Sequence, residues 1–226
     1  MLIATFLSAL ALSSPSADRF ACDIAPSLGS GSSDEGKIDS ITSLNFGCRY
    51  EVLNLWGVGV SPVIGLDRQL WTVNEKSSSV KNISSYETQD FNFGFRLDKA
   101  VGGRTKIFYG LLSGQGKGSL SSTQSTDQSS LSSSYSNLKN NFLQQSLGAS
   151  YGLTEKLSLT LAWQRQTANQ SWSVDSGDIL LQNVDEENNL TLTGGTTALL
   201  GGPEPRSKNQ TTTNLIQIGL SLSFGS

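Results

Sequence analysis

Residues 216–226 read Ile-Gln-Ile-Gly-Leu-Ser-Leu-Ser-Phe-Gly-Ser. Ile216, Ile218, Leu220, Leu222 and Phe224 fall on one face, and Gln217, Gly219, Ser221 and Ser223 on the other. A period of two is that of a β-strand, here with one apolar face and one small, polar face. In a soluble sheet the apolar face would turn to a core. In a membrane barrel it turns to lipid, and the polar face lines the lumen.

The same alternation recurs upstream. Arg19–Leu28 puts Phe20, Cys22, Ile24, Pro26 and Leu28 on one parity, and Lys37–Tyr50 does so with Ile38, Leu44, Phe46, Cys48 and Tyr50. Further candidate strands are Trp56–Trp71, Tyr86–Asp98, Arg104–Gly116, Asn141–Leu153 and Leu157–Gln166. In Tyr86–Asp98, Phe91, Phe93, Phe95 and Leu97 alternate with Asp90, Asn92, Gly94, Arg96 and Asp98. The parity of Arg104–Gly116 is ambiguous, because Phe108 and Tyr109 are both aromatic.

The connections alternate in length. GSGSSDEG, the polar 72–85, the Ser-rich 117–140 and a final stretch of about forty residues are loops; EVLNL, KAVGG and TEK are short. Strict alternation gathers every short turn, and both chain ends, at one end of the sheet. The fold expected is therefore all-β: an eight-stranded antiparallel up-and-down transmembrane barrel with short periplasmic turns and long extracellular loops. Within the last loop DILLQNV and NLTLT flank DEEN, an extramembranous hairpin that also leaves a ten-stranded barrel open.

Composition agrees. Hydrophobic content is 36%, and no apolar run after residue 12 approaches the roughly 20 residues of a membrane helix. A net charge of −3 does not suggest nucleic-acid binding. The opening MLIATFLSALALSSPSA, residues 1–17, reads as a secretory signal, apolar from Leu2 to Leu12 and then small. No Lys or Arg precedes the apolar stretch, and Pro15 lies close to the cleavage point expected between Ser13 and Ala17. A buried N-terminal strand or helix is the alternative. Arg19 ahead of Cys22 is a poor lipoprotein signal, so export without a lipid anchor is expected, with residues 18–226 forming the barrel domain.

A first hairpin centred on Asp34–Glu35 sets Cys22 opposite Cys48, both on the apolar parity. A cross-strand disulfide formed in an oxidising periplasm is expected, two unrelated buried thiols being the alternative. Phe20, Tyr50, Trp56 and Phe224 would make an aromatic girdle at the periplasmic rim, with Trp163 and Trp172 toward the outer side.

The pattern and topology resemble small bacterial outer-membrane barrels of the OmpA-domain, OmpX or OmpW type. The likeness covers nearly the whole mature chain, without a motif specific to one of them. A closing aromatic such as Phe224 is what their assembly signal uses, although Gly225 and Ser226 follow it here. The resemblance implies an outer-membrane location and, as partners, membrane lipid, lipopolysaccharide and the outer-membrane assembly machinery.

Candidate catalytic groups are sparse. His is absent, so a Ser–His–Asp arrangement cannot be built. GLLSGQGKGS fails as a phosphate loop, because the Gly110–Gly116 spacing is too wide and Gly118 follows Lys117. No cofactor and no metal is expected. Asp175, Asp178, Asp185, Glu186 and Glu187 read as a solvated acidic loop, with a divalent-cation site the sharper alternative. Four sequons begin at Asn82, Asn169, Asn189 and Asn209 and mean little in a bacterial protein.

The lumen parity carries Arg19, Arg49, Arg96 and Lys106 toward the periplasmic end, and Asp23, Asp39, Asp67 and Asp90 farther up. Two readings stand: a charge-asymmetric narrow pore, or an ion-pair network filling the barrel. Eight strands enclose only enough room for side chains, which favours the filled lumen. Arg68 and Arg165 fall on the lipid parity near the outer strand ends, where they would meet lipopolysaccharide phosphates or be turned away by a bulge. The Ser-rich loop and the apolar tip TTALLGGPEP offer contact surfaces for an extracellular partner. A structural, surface-interaction barrel without catalysis is the leading expectation. A narrow solute channel and a soluble lipocalin-like barrel with its apolar face inside are the alternatives.

Overall fold

The computed structural model describes residues 20–34, 36–76, 81–125, 129–172, 177–184, 190–194 and 208–224. The expected signal segment, Arg19, most of the acidic loop and the TTALLGGPEP tip lie outside these residues. Eleven strands follow in chain order: β1 (Phe20–Ser33), β2 (Gly36–Tyr50), β3 (Leu53–Leu55), β4 (Val58–Lys76), β5 (Lys81–Gly102), β6 (Thr105–Ser125), β7 (Ser129–Gly152), β8 (Leu157–Ser171), β9 (Gly177–Val184), β10 (Leu190–Gly194) and β11 (Lys208–Phe224).

Eight of them close a barrel. Antiparallel pairing runs β1–β2–β4–β5–β6–β7–β8–β11, and β11 returns to β1, so that Phe20 is partnered by Tyr50 on one side and Phe224 on the other. Closure satisfies each strand's backbone groups from its neighbours, as a bilayer interior demands. Exposure alternates along the wall. Phe91, Phe93 and Phe95 are 47%, 54% and 41% exposed, whereas Asp90, Asn92 and Arg96 between them are buried. The apolar face of β11 likewise points outward from Ile216 to Phe224. The lipocalin-like inversion is therefore excluded. A closed sheet with an outward apolar belt and a polar interior is an outer-membrane type of barrel, and the belt places it in that bilayer.

The short ends are built as turns. Gly103 takes a left-handed φ of 47° between β5 and β6, and Trp56 and Gly57 take φ of 52° and 79° at the tip of β3–β4. Both central residues of that tip are left-handed, as a type I′ hairpin requires.

The expected loops 72–85 and 117–140 are mostly strand. β4 and β5 pair as far as Lys76–Lys81, and β6 and β7 as far as Ser125–Ser130. β5, β6 and β7 reach 22, 21 and 24 residues, about twice the 9–11 that cross a bilayer. Their upper halves stand in water, where Ser and Thr suit the outer face and no outward apolar parity marks the strand. β9 pairs with the top of β7 beyond the reach of β8, and β10 pairs with β9. This hairpin extends the extracellular sheet and leaves the wall at eight strands.

Candidate functional site: the barrel interior

Three layers fill the barrel. The periplasmic layer holds the ion pairs. Arg49 is hydrogen-bonded to the Asp23 carboxylate and donates to Ser221 Oγ at 3.1 Å. Arg96 donates through Nε and Nη2 to Asp98, at 2.9 and 2.8 Å, and lies 3.9 Å from Asp23. Its guanidinium also stacks over Phe108, 3.6 Å from the ring centroid, which settles the parity of β6: Phe108 inward, Tyr109 outward. An Arg held by a carboxylate fork and an aromatic face is positioned in a way a Lys could not match. Lys106, expected in the lumen, lies exposed at the mouth.

Above this layer is a cavity of about 60 Å³, lined by Asn45, Gly47, Phe108, Gln144, Gln217 and Gly219 among others.

The middle layer is made of amides, hydroxyls and two carboxylates. Asp67 accepts from Ser43 Oγ at 2.8 Å and Gln69 Nε2 at 2.6 Å, and Ser27 Oγ donates to Ser43. Gln69 and Gln166 exchange amide bonds across the lumen at 3.0 and 3.3 Å. Asp90 accepts from Thr88 Oγ1 at 2.7 Å and Asn140 Nδ2 at 3.0 Å, and Gln170 Nε2 donates to Asn140 and to Thr211. Neither Asp67 nor Asp90 has an ion-pair partner among the described residues. The ion-pair network expected to fill the barrel is thus confined to its periplasmic end.

The outer layer is apolar. Ile41, Trp71, Tyr86, Leu120 and Tyr135 are successive cross-strand partners around the inside of the wall. Ile38, Val73, Leu138, Leu215 and Trp172 complete a buried cluster with them. Trp172 closes over the lumen, its ring 6.4 Å from Tyr86 and 6.5 Å from Tyr135. It lies toward the outer side, as expected, but buried inside the barrel, whereas Trp163 faces outward.

Asp39 is a further correction. It is exposed and pairs with Lys37 at 3.2 Å. A bulge between Ile38 and Ser40 adds one residue to β2, which reverses the parity and turns Ile38 inward in its place. Register shifts near Gly29–Gly31 and between Gly118 and Leu120 mark the same height on other strands.

On the outer surface, Cys22 and Cys48 are cross-strand partners joined in a disulfide. Phe20, Tyr50 and Phe224 form a continuous exposed arc at the periplasmic rim, with Phe20 and Phe224 5.6 Å apart. Trp56, 97% exposed, lies past that arc at its turn. Arg68 faces outward and is bound by Glu87, from Nη2 at 2.7 Å and Nε at 3.1 Å. Arg165 also faces outward.

Sequence reading missed Asp98, although it shares the lumen parity of Arg96 two residues away. It also missed the apolar cluster, of which Val73, Leu120, Tyr135 and Leu138 sit in segments that read as polar loops.

No protein-family model matches the chain, and no curated protein matches it. Among solved structures it is similar to Neisserial surface protein A, at 10% identity and a TM-score of 0.47 over 91% of this chain and 97% of that one. It is also similar to Ail, the attachment invasion locus protein of Yersinia pestis, at 12% identity and 0.41 over 92% and 100%. A third similar structure is the outer membrane protein OprG from Pseudomonas aeruginosa, at 16% and 0.42 over 93% and 97%.

Proposed function

We propose that this outer-membrane barrel is a non-catalytic surface protein whose role is carried by the sheet it raises above the membrane. One observation carries the reading: the lumen is closed on its outer side by the buried Trp71–Tyr86–Trp172 cluster. A sealed lumen supports display over transport. The long upper halves of β4–β7, with the β9–β10 hairpin beside them, supply a rigid extracellular platform. Loops on a rigid scaffold are where recognition residues are ordinarily carried. Lipopolysaccharide around the belt and an extracellular surface or protein are the partners this reading implies, with the assembly machinery acting during insertion.

The test is conductance in planar bilayers alongside a surface-binding assay. The purified barrel should stay electrically silent, and shortening the β9–β10 hairpin should weaken adhesion of expressing cells without removing the folded band on unboiled gels. Steady single-channel steps from the native protein would sink the reading in favour of a narrow channel.

A further inference from the structure

Above the belt, one rung of the outer wall carries lysines on three of four consecutive strands. Lys117 on β6 is the cross-strand partner of Lys139 on β7; Lys139 pairs with Ser171 on β8, and Ser171 with Lys208 on β11. All three lysines are exposed on the outward parity. Among the described residues, no carboxylate lies within ion-pair distance of any of them. Like charges directly opposite each other on a sheet repel, and Lys117 and Lys139 are placed in that way. The far side of the barrel differs. On β1 and β2 the exposed positions above the belt include Ser30, Ser32, Ser40 and Thr42, and Lys37 and Asp39 at the top pair with each other.

The next outward rung below is a second observation. Gln115, Asn141, Asn169 and Gln210 are successive partners on the same four strands, and all are exposed. Each of these side-chain amides offers two N–H donors. Lower still, Arg165 is flanked by Gln145 and Asn214, again outward and without a carboxylate against it among the described residues. One outward rung beneath, Leu147, Trp163 and Ile216 belong to the apolar belt. A panel of ammonium, guanidinium and amide donors thus begins where the apolar surface stops. It faces sideways from the same wall as the belt, toward whatever stands beside the barrel in the outer leaflet.

We infer that the outer wall of β6, β7, β8 and β11 is a binding site for the phosphorylated sugar headgroup of lipopolysaccharide. The inference rests on the reading above, in which lipopolysaccharide surrounds the belt, and it confines the specific contact to one side of the barrel. Acyl chains lie against Leu147, Trp163 and Ile216. Arg165 meets the phosphate nearest the hydrocarbon, the amide rung meets sugar oxygens, and the lysine rung meets phosphates of the core farther out. Lysine holds a phosphate as a point charge, and an anion shared by Lys117 and Lys139 removes their repulsion.

The test uses the full-length barrel purified in detergent and labelled rough lipopolysaccharide, which carries lipid A and a phosphorylated inner core. Fluorescence anisotropy should show saturable binding by the native protein, weakened several-fold when the phosphates are removed with hydrogen fluoride. Lys117→Gln/Lys139→Gln/Lys208→Gln should weaken binding several-fold, and adding Arg165→Gln should weaken it further, with the folded band kept on unboiled gels. Lys99→Gln/Lys106→Gln/Lys156→Gln, which removes the same charge from exposed positions at the periplasmic end, should bind as the native protein does. Equal binding by the native protein and the Lys117/Lys139/Lys208 variant overturns the proposal, as does indifference to the phosphates. Should that variant lose affinity for soluble heparin while keeping affinity for lipopolysaccharide, the proposal is also overturned, and the panel belongs to an extracellular polyanion. Neither conductance nor cell adhesion enters this readout, so the site and the display reading fail separately.

Discussion

Trp71 and Tyr86 oppose each other across β4 and β5, their rings parallel and their centroids 5.0 Å apart. They lie inside the barrel, above a layer of amides and carboxylates. The molecule therefore carries two kinds of interior on one wall, polar within the membrane and apolar above it. The upper part is built as a soluble barrel is, with apolar side chains inward and Ser and Thr outward.

Replacing Trp71 by Ala should remove much of that upper core. Large-to-small changes at a buried aromatic cost about 3–5 kcal/mol. Urea unfolding of the detergent-solubilised barrel should show a loss of that order, against a smaller one for the outward-facing Trp163→Ala. Equal losses would mean that the cluster does not act as a core.

Arg96→Ala should destabilise by about 3–5 kcal/mol, since removing one partner of a buried ion pair strands the other. Asp98 then loses its fork and Asp23 part of its counter-charge. Arg96→Lys should recover only a fraction, because an ammonium provides neither the bidentate grip nor the planar stack on Phe108. Full recovery in the Lys variant would reduce the site to charge alone.

The belt can be mapped by charge. Phe93→Arg, in the middle of the outward apolar face, should cost about 2–4 kcal/mol in lipid. The same change at Ser119, outward on β6 but above the belt, should fall within about 0.5 kcal/mol. Folding titrations in vesicles compare the two, and equal costs would misplace the membrane.

Removing the disulfide by Cys22→Ser with Cys48→Ser should lower stability by about 2–4 kcal/mol, the usual effect of a cross-link over a loop of this size. The barrel should still close, because β1 also pairs with β11 and β2 with β4. Unboiled gels should keep the folded band, which would shift at lower urea.

How much of this was legible depends on height along the strands. In the membrane half, each strand separates lipid from a packed lumen, so its side chains must alternate. Ile216–Phe224 and Phe91–Phe95 carried that alternation openly, and with it the barrel, the direction of its faces and the Cys22–Cys48 register. Asp23, Arg49 and Arg96 could be placed in the lumen by parity alone, although which carboxylate each would choose could not.

Above the belt the outer face meets water and Ser or Thr suffices, so 72–85 and 117–140 read as loops while their backbones continued the ladder. The single inserted residue at Asp39 then reversed a parity that the lower strand had set. Only the register between neighbouring strands brought Ile41, Trp71, Tyr86, Leu120 and Tyr135 side by side along the inside of the wall. The sequence by itself determined a barrel, because lipid and a packed lumen impose a period of two on each strand separately. The folded chain added the buried apolar cluster above the polar lumen, because that cluster depends on register and bulges among strands that no single strand encodes.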